Sequence, residues 1–166
     1  RRQRQMCIRD RDDNLVDGTI TSTITITVDD DNSDNNFDPV ADQTVSTSTT
    51  DNDVAGFTVV ETDGSTSVDE SGTTDTFTIV LNAQPAEDVV LSIASGTVAE
   101  STVSPASITF TSANWDTPQT ITSTGVDDAG IIDGSQVSVV TISIVPLASD
   151  DSFDAVANQT VNVTTT

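Results

Sequence analysis

The chain has 166 residues, with 27 acidic groups against five basic ones and no His, no Tyr and a single Cys. All five basic residues, the Cys and the only Met fall in the first eleven positions; 27 acids less Asp10 leaves 26 acids and no base over residues 12–166. A field of that sign excludes nucleic acid and anionic membrane surfaces as partners. The usual nucleophile and base pairs of an enzyme are missing, and no apolar run reaches the roughly 18 residues of a membrane span.

The first segment, RRQRQMCIRDR (residues 1–11), differs in composition from everything after it and resembles translated adapter read-through. It is read as a non-native sequencing or assembly scar and set apart from the fold. Beyond it the dominant signal is an internal repeat. At an offset of 116 residues, DNLVDG (Asp13 to Gly18) lies over AGIIDG (Ala129 to Gly134). At the same offset FDPVADQTVSTSTT (Phe37 to Thr50) lies over FDAVANQTVNVTTT (Phe153 to Thr166). The first copy runs on into DNDVAGF (Asp51 to Phe57), and the same motif is expected after Thr166. Residues 12–50 are therefore expected to be the C-terminal part of a preceding repeat, 51–55 an acidic joint, and 56–166 a nearly complete repeat.

Hydrophobicity alternates with period 2, with β-branched residues throughout, so the chain reads as strands. In the partial copy these are GTITSTITITV (18–28) and QTVSTSTT (43–50). After the joint come GFTVVE (56–61) with a second piece TSVDE (66–70), TDTFTIVLN (74–82), DVVLSIAS (88–95) and a broken strand over 98–111. QTITSTGV (119–126), QVSVVTISIV (136–145) and QTVNVTT (159–165) complete the set. Gly, Pro, Asn and Asp fill the turns, as turn chemistry requires. About seven short strands with one polar face each predict an antiparallel two-sheet sandwich. The expected inward set is Phe57, Val59, Phe77, Ile79, Leu81, Val90, Ile93, Val103, Ile108, Phe110, Ile121, Val139, Ile142, Ile144, Val161 and Val163.

Strand direction then locates the acids. If 56–61 runs away from the joint and each strand reverses the last, the turns that end this first strand, 88–95 and 119–126 gather at the far pole with the end of 159–165. The acids there are Asp69, Glu70, Glu100, Asp127, Asp128 and Asp133, and the expected DND would join them. The same rule brings Asp12, Asp13 and Asp17 of the preceding repeat beside Asp51 and Asp53. At the opposite pole lie Glu87, Asp88, Asp150, Asp151 and Asp154. Carboxylates crowded without a basic partner call for a hard cation, and calcium takes six to eight oxygens in flexible geometry. The chosen ligands are Asp12, Asp13, Asp17, Asp51 and Asp53 at one joint, and Glu70, Asp127, Asp128 and Asp133 at the other pole. The competing reading is that each Asp merely bonds its own turn.

The strings TSVDESGTTDTFTIVLNAQPAEDVVLSIAS, STVSPASITFTSANWDTPQTITSTGVDD and DGSQVSVVTISI, with DND at the repeat end, resemble the Calx-beta-like repeats of large bacterial surface and adhesin proteins. The resemblance covers residues 12–166 and departs from the family in the loop SGTVAES, whose only acid is Glu100. It implies a calcium-associated, immunoglobulin-like sandwich used in tandem as a spacer or stalk, extracellular or at the cell surface. The partners it implies are neighbouring repeats or identical subunits, with strand complementation between subunits as one mode of assembly. The alternative is a glycan- or surface-binding module. Its candidate features are Trp115, which reads first as a sandwich-edge packing residue, and the Thr/Ser alternation at 19–27, which the solvent face of a strand explains equally. Asn158 and Asn162 head N-x-T triplets that serve as glycosylation acceptors in a host with that machinery.

Overall fold

The computed structural model describes residues 13–128, 130, 131 and 134–166. They divide into two compact units, one formed by Asp17–Asn52 with Asp13, the other by Asn14–Val16 with Asp53–Thr166. The first unit is an antiparallel pair of strands, β1 (Ile20–Ile26) and β2 (Gln43–Thr49).

The second unit is an immunoglobulin-like β-sandwich. Its strands are β3 (Phe57–Glu61), β4 (Thr66–Val68), β5 (Thr74–Leu81), β6 (Val89–Ser95), β7 (Ser101–Ser104) and β8 (Ser107–Phe110), followed by β9 (Gln119–Gly125), β10 (Gln136–Ile144) and β11 (Gln159–Thr165). One sheet has the order β3-β5-β9-β7, the other β4-β11-β10-β6-β8. Every segment read as a strand from its alternation is one, with ends within a residue or two except in the broken region, because alternation of β-branched and polar residues fits a pleated surface buried on one side.

Two of those segments divide between the sheets. After β3 pairs with β5, the 3-10 turn Thr62–Gly64 carries the chain across, and β4 runs parallel to β11. The turn is made possible by left-handed backbone at Asp63 and Gly64, with φ of 57° and 83°. The broken strand behaves likewise: β7 pairs with β9 in one sheet and β8 with β6 in the other. Pro105 stands between them and lacks the amide that would continue a ladder. Among the described residues the named strands of this unit thus pair antiparallel except for β4 with β11, and an isolated parallel bridge joins Leu15 to Gln84.

The two inner faces supply the core: Phe57, Phe77, Ile79, Leu81, Ile93, Ile108, Phe110, Ile121, Ile142, Ile144, Val161 and Val163 are buried as expected. Val59 and Val103 pack against it half-buried. Two positions are out of phase with the expectation. Val89 and Leu91 are buried in place of Val90, and Val140 is buried in place of Val139, which is 42% exposed. Adjacent valines make either phase acceptable locally, and the sheet chooses the one shared with Ile93 and Ile142, two residues apart at each step. Val68 and Phe153 also join the core. Phe153 lies in a 3-10 turn, Asp151–Phe153, where strand alternation gives no signal.

Candidate metal centre

The acidic pole is assembled by hydrogen bonds between turns remote in sequence. Thr166 N donates to the Val68 carbonyl at 3.1 Å and Glu70 N to the Thr166 carbonyl at 3.2 Å, which prolongs the parallel ladder past β4 and β11. Gly125 N donates to the Thr73 carbonyl at 3.0 Å, and Val126 N to the Glu100 carbonyl at 2.9 Å. Thr165 Oγ1 also donates to the Glu100 carbonyl, at 3.2 Å. The turns after β4, β6 and β9 and the end of β11 therefore meet, as strand direction predicts.

Gly125 permits this closeness. A Cβ there would lie 2.0 Å from the Asp69 carbonyl oxygen, closer than two atoms can stand, so any larger residue would push the turn after β4 away from β9. The turn itself is tied down by Asp69. Its carboxylate accepts from Ser71 N at 2.9 Å and from the Ser71 hydroxyl, and Asp69 N donates to Thr73 Oγ1 at 2.7 Å. The Ser71 hydroxyl bond is the largest influence on Asp69 and, with the further bonds of this turn, outweighs desolvation and holds its pKa below the ordinary value. Asp69 Oδ1 is thus committed to the turn, and it is the next residue, Glu70, that belongs to the acidic group at the pole.

Among the described residues, Glu70, Asp127 and Asp128 offer carboxylate oxygens all within 4.8 Å of one another. They come from two different turns. Two unit charges at that distance repel by about 0.9 kcal/mol even at the dielectric constant of water, and residues 12–166 contain no Lys, Arg or His to offset it. Asp128 Oδ1 is buried without a hydrogen-bond partner. An orphaned carboxylate oxygen beside two others, with no nitrogen or sulfur donor in the set, has the chemistry of a hard-cation site and fits calcium.

The remaining sequence candidates fall elsewhere. Asp12 and Asp133 lie outside the described residues. Asp51 Oδ2 accepts from Asp17 N at 3.0 Å and Gly18 N at 2.8 Å, so this carboxylate caps main chain within the first unit. Asp13 belongs to that unit and Asp53 to the sandwich; neither is part of a three-acid group among the described residues.

At the opposite pole, Asp150 is a turn clamp. It is 5% exposed; its Oδ2 accepts from Ala86 N at 2.7 Å and Glu87 N at 3.0 Å, and its Oδ1 from Ser152 N at 2.9 Å. Burial is the largest influence and raises its pKa, but the amides of Glu87, Ser152 and Ala86 and the Ser152 hydroxyl outweigh it, leaving the pKa below the ordinary value. The sequence marks it only as one of several acids before β11. Trp115 is half-buried against the core and its carbonyl accepts from Leu81 N at 3.1 Å, a packing position at the sandwich edge.

Fold and site together define an immunoglobulin-like β-sandwich with a carboxylate cluster at one pole. No family model matches the chain, and no curated protein matches it. Among solved structures it is similar to SSP-19, an MSP-domain protein like family member of Caenorhabditis elegans, with 20% identity and a TM-score of 0.39 over 61% of this chain and 91% of that one. It is also similar to WR4, a C. elegans MSP family member, with 15% identity and a TM-score of 0.41 over 66% and 94%. The E. coli chaperone DraB gives 8% identity and a TM-score of 0.45 over 68% and 54%. At these scores the likenesses carry no functional statement.

Proposed function

We propose that this chain is a structural, calcium-associated β-sandwich repeat of an extracellular bacterial adhesin, stalk or filament of the Calx-beta-like kind. The observation that carries the reading is the gathering of Glu70, Asp127 and Asp128 around a buried, unpartnered oxygen of Asp128. The internal repeat supports a role in tandem, since a 116-residue unit can bury a core and pass its chain on through an acidic joint. Calcium bound at the pole ties the turn after β4 to the turn after β9, so binding free energy becomes stiffness of the end that adjoins the next repeat.

Extracellular modules of this sort bind calcium with dissociation constants on the order of 0.1–1 mM. At ten to a hundred times that concentration one site adds about 1.4–2.7 kcal/mol. Calorimetric unfolding of the full chain in calcium is expected to show a higher midpoint than in chelator, and Glu70→Gln with Asp128→Asn is expected to abolish the difference. An unchanged midpoint in the unsubstituted chain would remove calcium from the reading.

A further inference from the structure

The two long hairpins of this molecule are copies of one another in more than sequence. β1 and β2 pair from Ile20↔Thr49 to Ile26↔Gln43, while β10 and β11 pair from Gln136↔Thr165 to Ile142↔Gln159. Every cross-strand pair of the first recurs in the second at the repeat offset of 116. The connections match too. Phe37 N donates to the Asp34 carbonyl and Val40 N to that of Phe37, as Phe153 N does to Asp150 and Val156 N to Phe153. Asp34 Oδ1 accepts from Asn36 N at 2.9 Å, just as Asp150 Oδ1 accepts from Ser152 N at 2.9 Å.

Their covering differs. Ile142, Phe153 and Val161 are at most 2% exposed, whereas the corresponding Ile26, Phe37 and Val45 are 57%, 59% and 49% exposed. A two-stranded hairpin is marginal on its own, and an apolar face left open in this way marks an interaction surface. The second hairpin displays what such a face takes. β10 pairs antiparallel with β6 along Val140–Ile144, and β11 pairs in parallel with β4 along Val163–Thr165. The amides of Ala86 and Glu87 reach Asp150 Oδ2. Moved back by 116, these become an antiparallel strand along 24–28, a parallel strand along 47–49 and two amides aimed at Asp34.

We infer that the β1–β2 hairpin is the closing pair of another sandwich and docks into a second shell of the type formed by β3 to β9, carried on the same polypeptide ahead of it. The order follows the complete repeat, in which shell precedes hairpin. A second copy of this chain is a poorer occupant. Each molecule brings two such hairpins and, among the described residues, one shell already filled by its own β10 and β11, so exchange between copies leaves as many open faces as before. The inference rests on the tandem-repeat part of the proposed function and is independent of calcium.

The test joins an additional copy of residues 51–134 directly to residue 19 of the chain, giving two shells and two hairpins, and follows amide exchange in chelator so that calcium has no bearing on the result. In the 166-residue chain, β1 and β2 amides are expected to exchange at least about 100-fold faster than those of β10 and β11; in the extended chain the two hairpins are expected to be protected alike. Val45→Asp in the extended chain should return β1 and β2 to fast exchange, and Thr44→Asp on the opposite face should not. The β10 and β11 amides, protected throughout, report that the original sandwich remains folded. Fast exchange of β1 and β2 in the extended chain would overturn the inference. So would concentration-dependent protection of β1 and β2 in a dimer of the 166-residue chain, which would make a second copy the occupant.

Discussion

At the scale of single residues, two carboxylates that look alike in sequence do opposite work. Asp150 is buried and saturated by main-chain amides, whereas Asp128 has a buried oxygen with no partner. Asp150→Ala leaves the amides of Ala86, Glu87 and Ser152 without their acceptor, and an expected loss of about 1–3 kcal/mol follows. Because its folded pKa is depressed, the stability that Asp150 contributes is fully present above the unfolded value of about 3.9 and is lost as pH falls through the folded value. Urea midpoints should therefore show a large gap between the variant and the original chain at pH 7, narrowing as the pH drops below about 4. A gap independent of pH would mean that packing of the side chain, and not its charge, stabilises the turn.

At the scale of elements, alternation identified the strands but could not set their phase wherever two valines adjoin. Val140 is fully buried and Val139 is 42% exposed. Val140→Asp puts a carboxylate into the core and is expected to unfold the sandwich, whereas Val139→Asp should change stability by no more than about 0.5 kcal/mol. Far-ultraviolet circular dichroism with a urea titration separates the two; equal effects would contradict the observed phase. The division of β3 from β4, and of β7 from β8, was equally hidden. A break is visible in the sequence as Asp63-Gly64 and as Pro105, but a local break does not say that the chain changes sheets.

At the scale of the whole molecule, charge dominates. Residues 12–166 carry 26 acids and no base, so compaction works against self-repulsion that salt screens over about 10 Å at 0.1 M. Sodium chloride added in chelator is expected to raise the thermal midpoint gradually. Calcium at matched ionic strength is expected to raise it further, through a saturable site. If the two salts give the same midpoint at every ionic strength, calcium acts only as a counterion.

The sequence by itself determined the all-β class, the strand positions, the 116-residue repeat and most of the core, because each of these depends on local alternation or on self-similarity. It also indicated which turns would share a pole, since strand direction follows from counting reversals, and Glu70, Asp127 and Asp128 do meet there. Tertiary structure alone decided which sheet each half-strand joins, which of two adjacent valines is buried, that Phe153 fills the core from a turn, and that Asp150 is consumed by amides more than 60 residues away in sequence. It also decided that only glycine fits at position 125, where a carbonyl from another turn occupies the space of a side chain. These outcomes depend on desolvation and on close approach between remote segments, and neither is written in the spacing of residues along the chain.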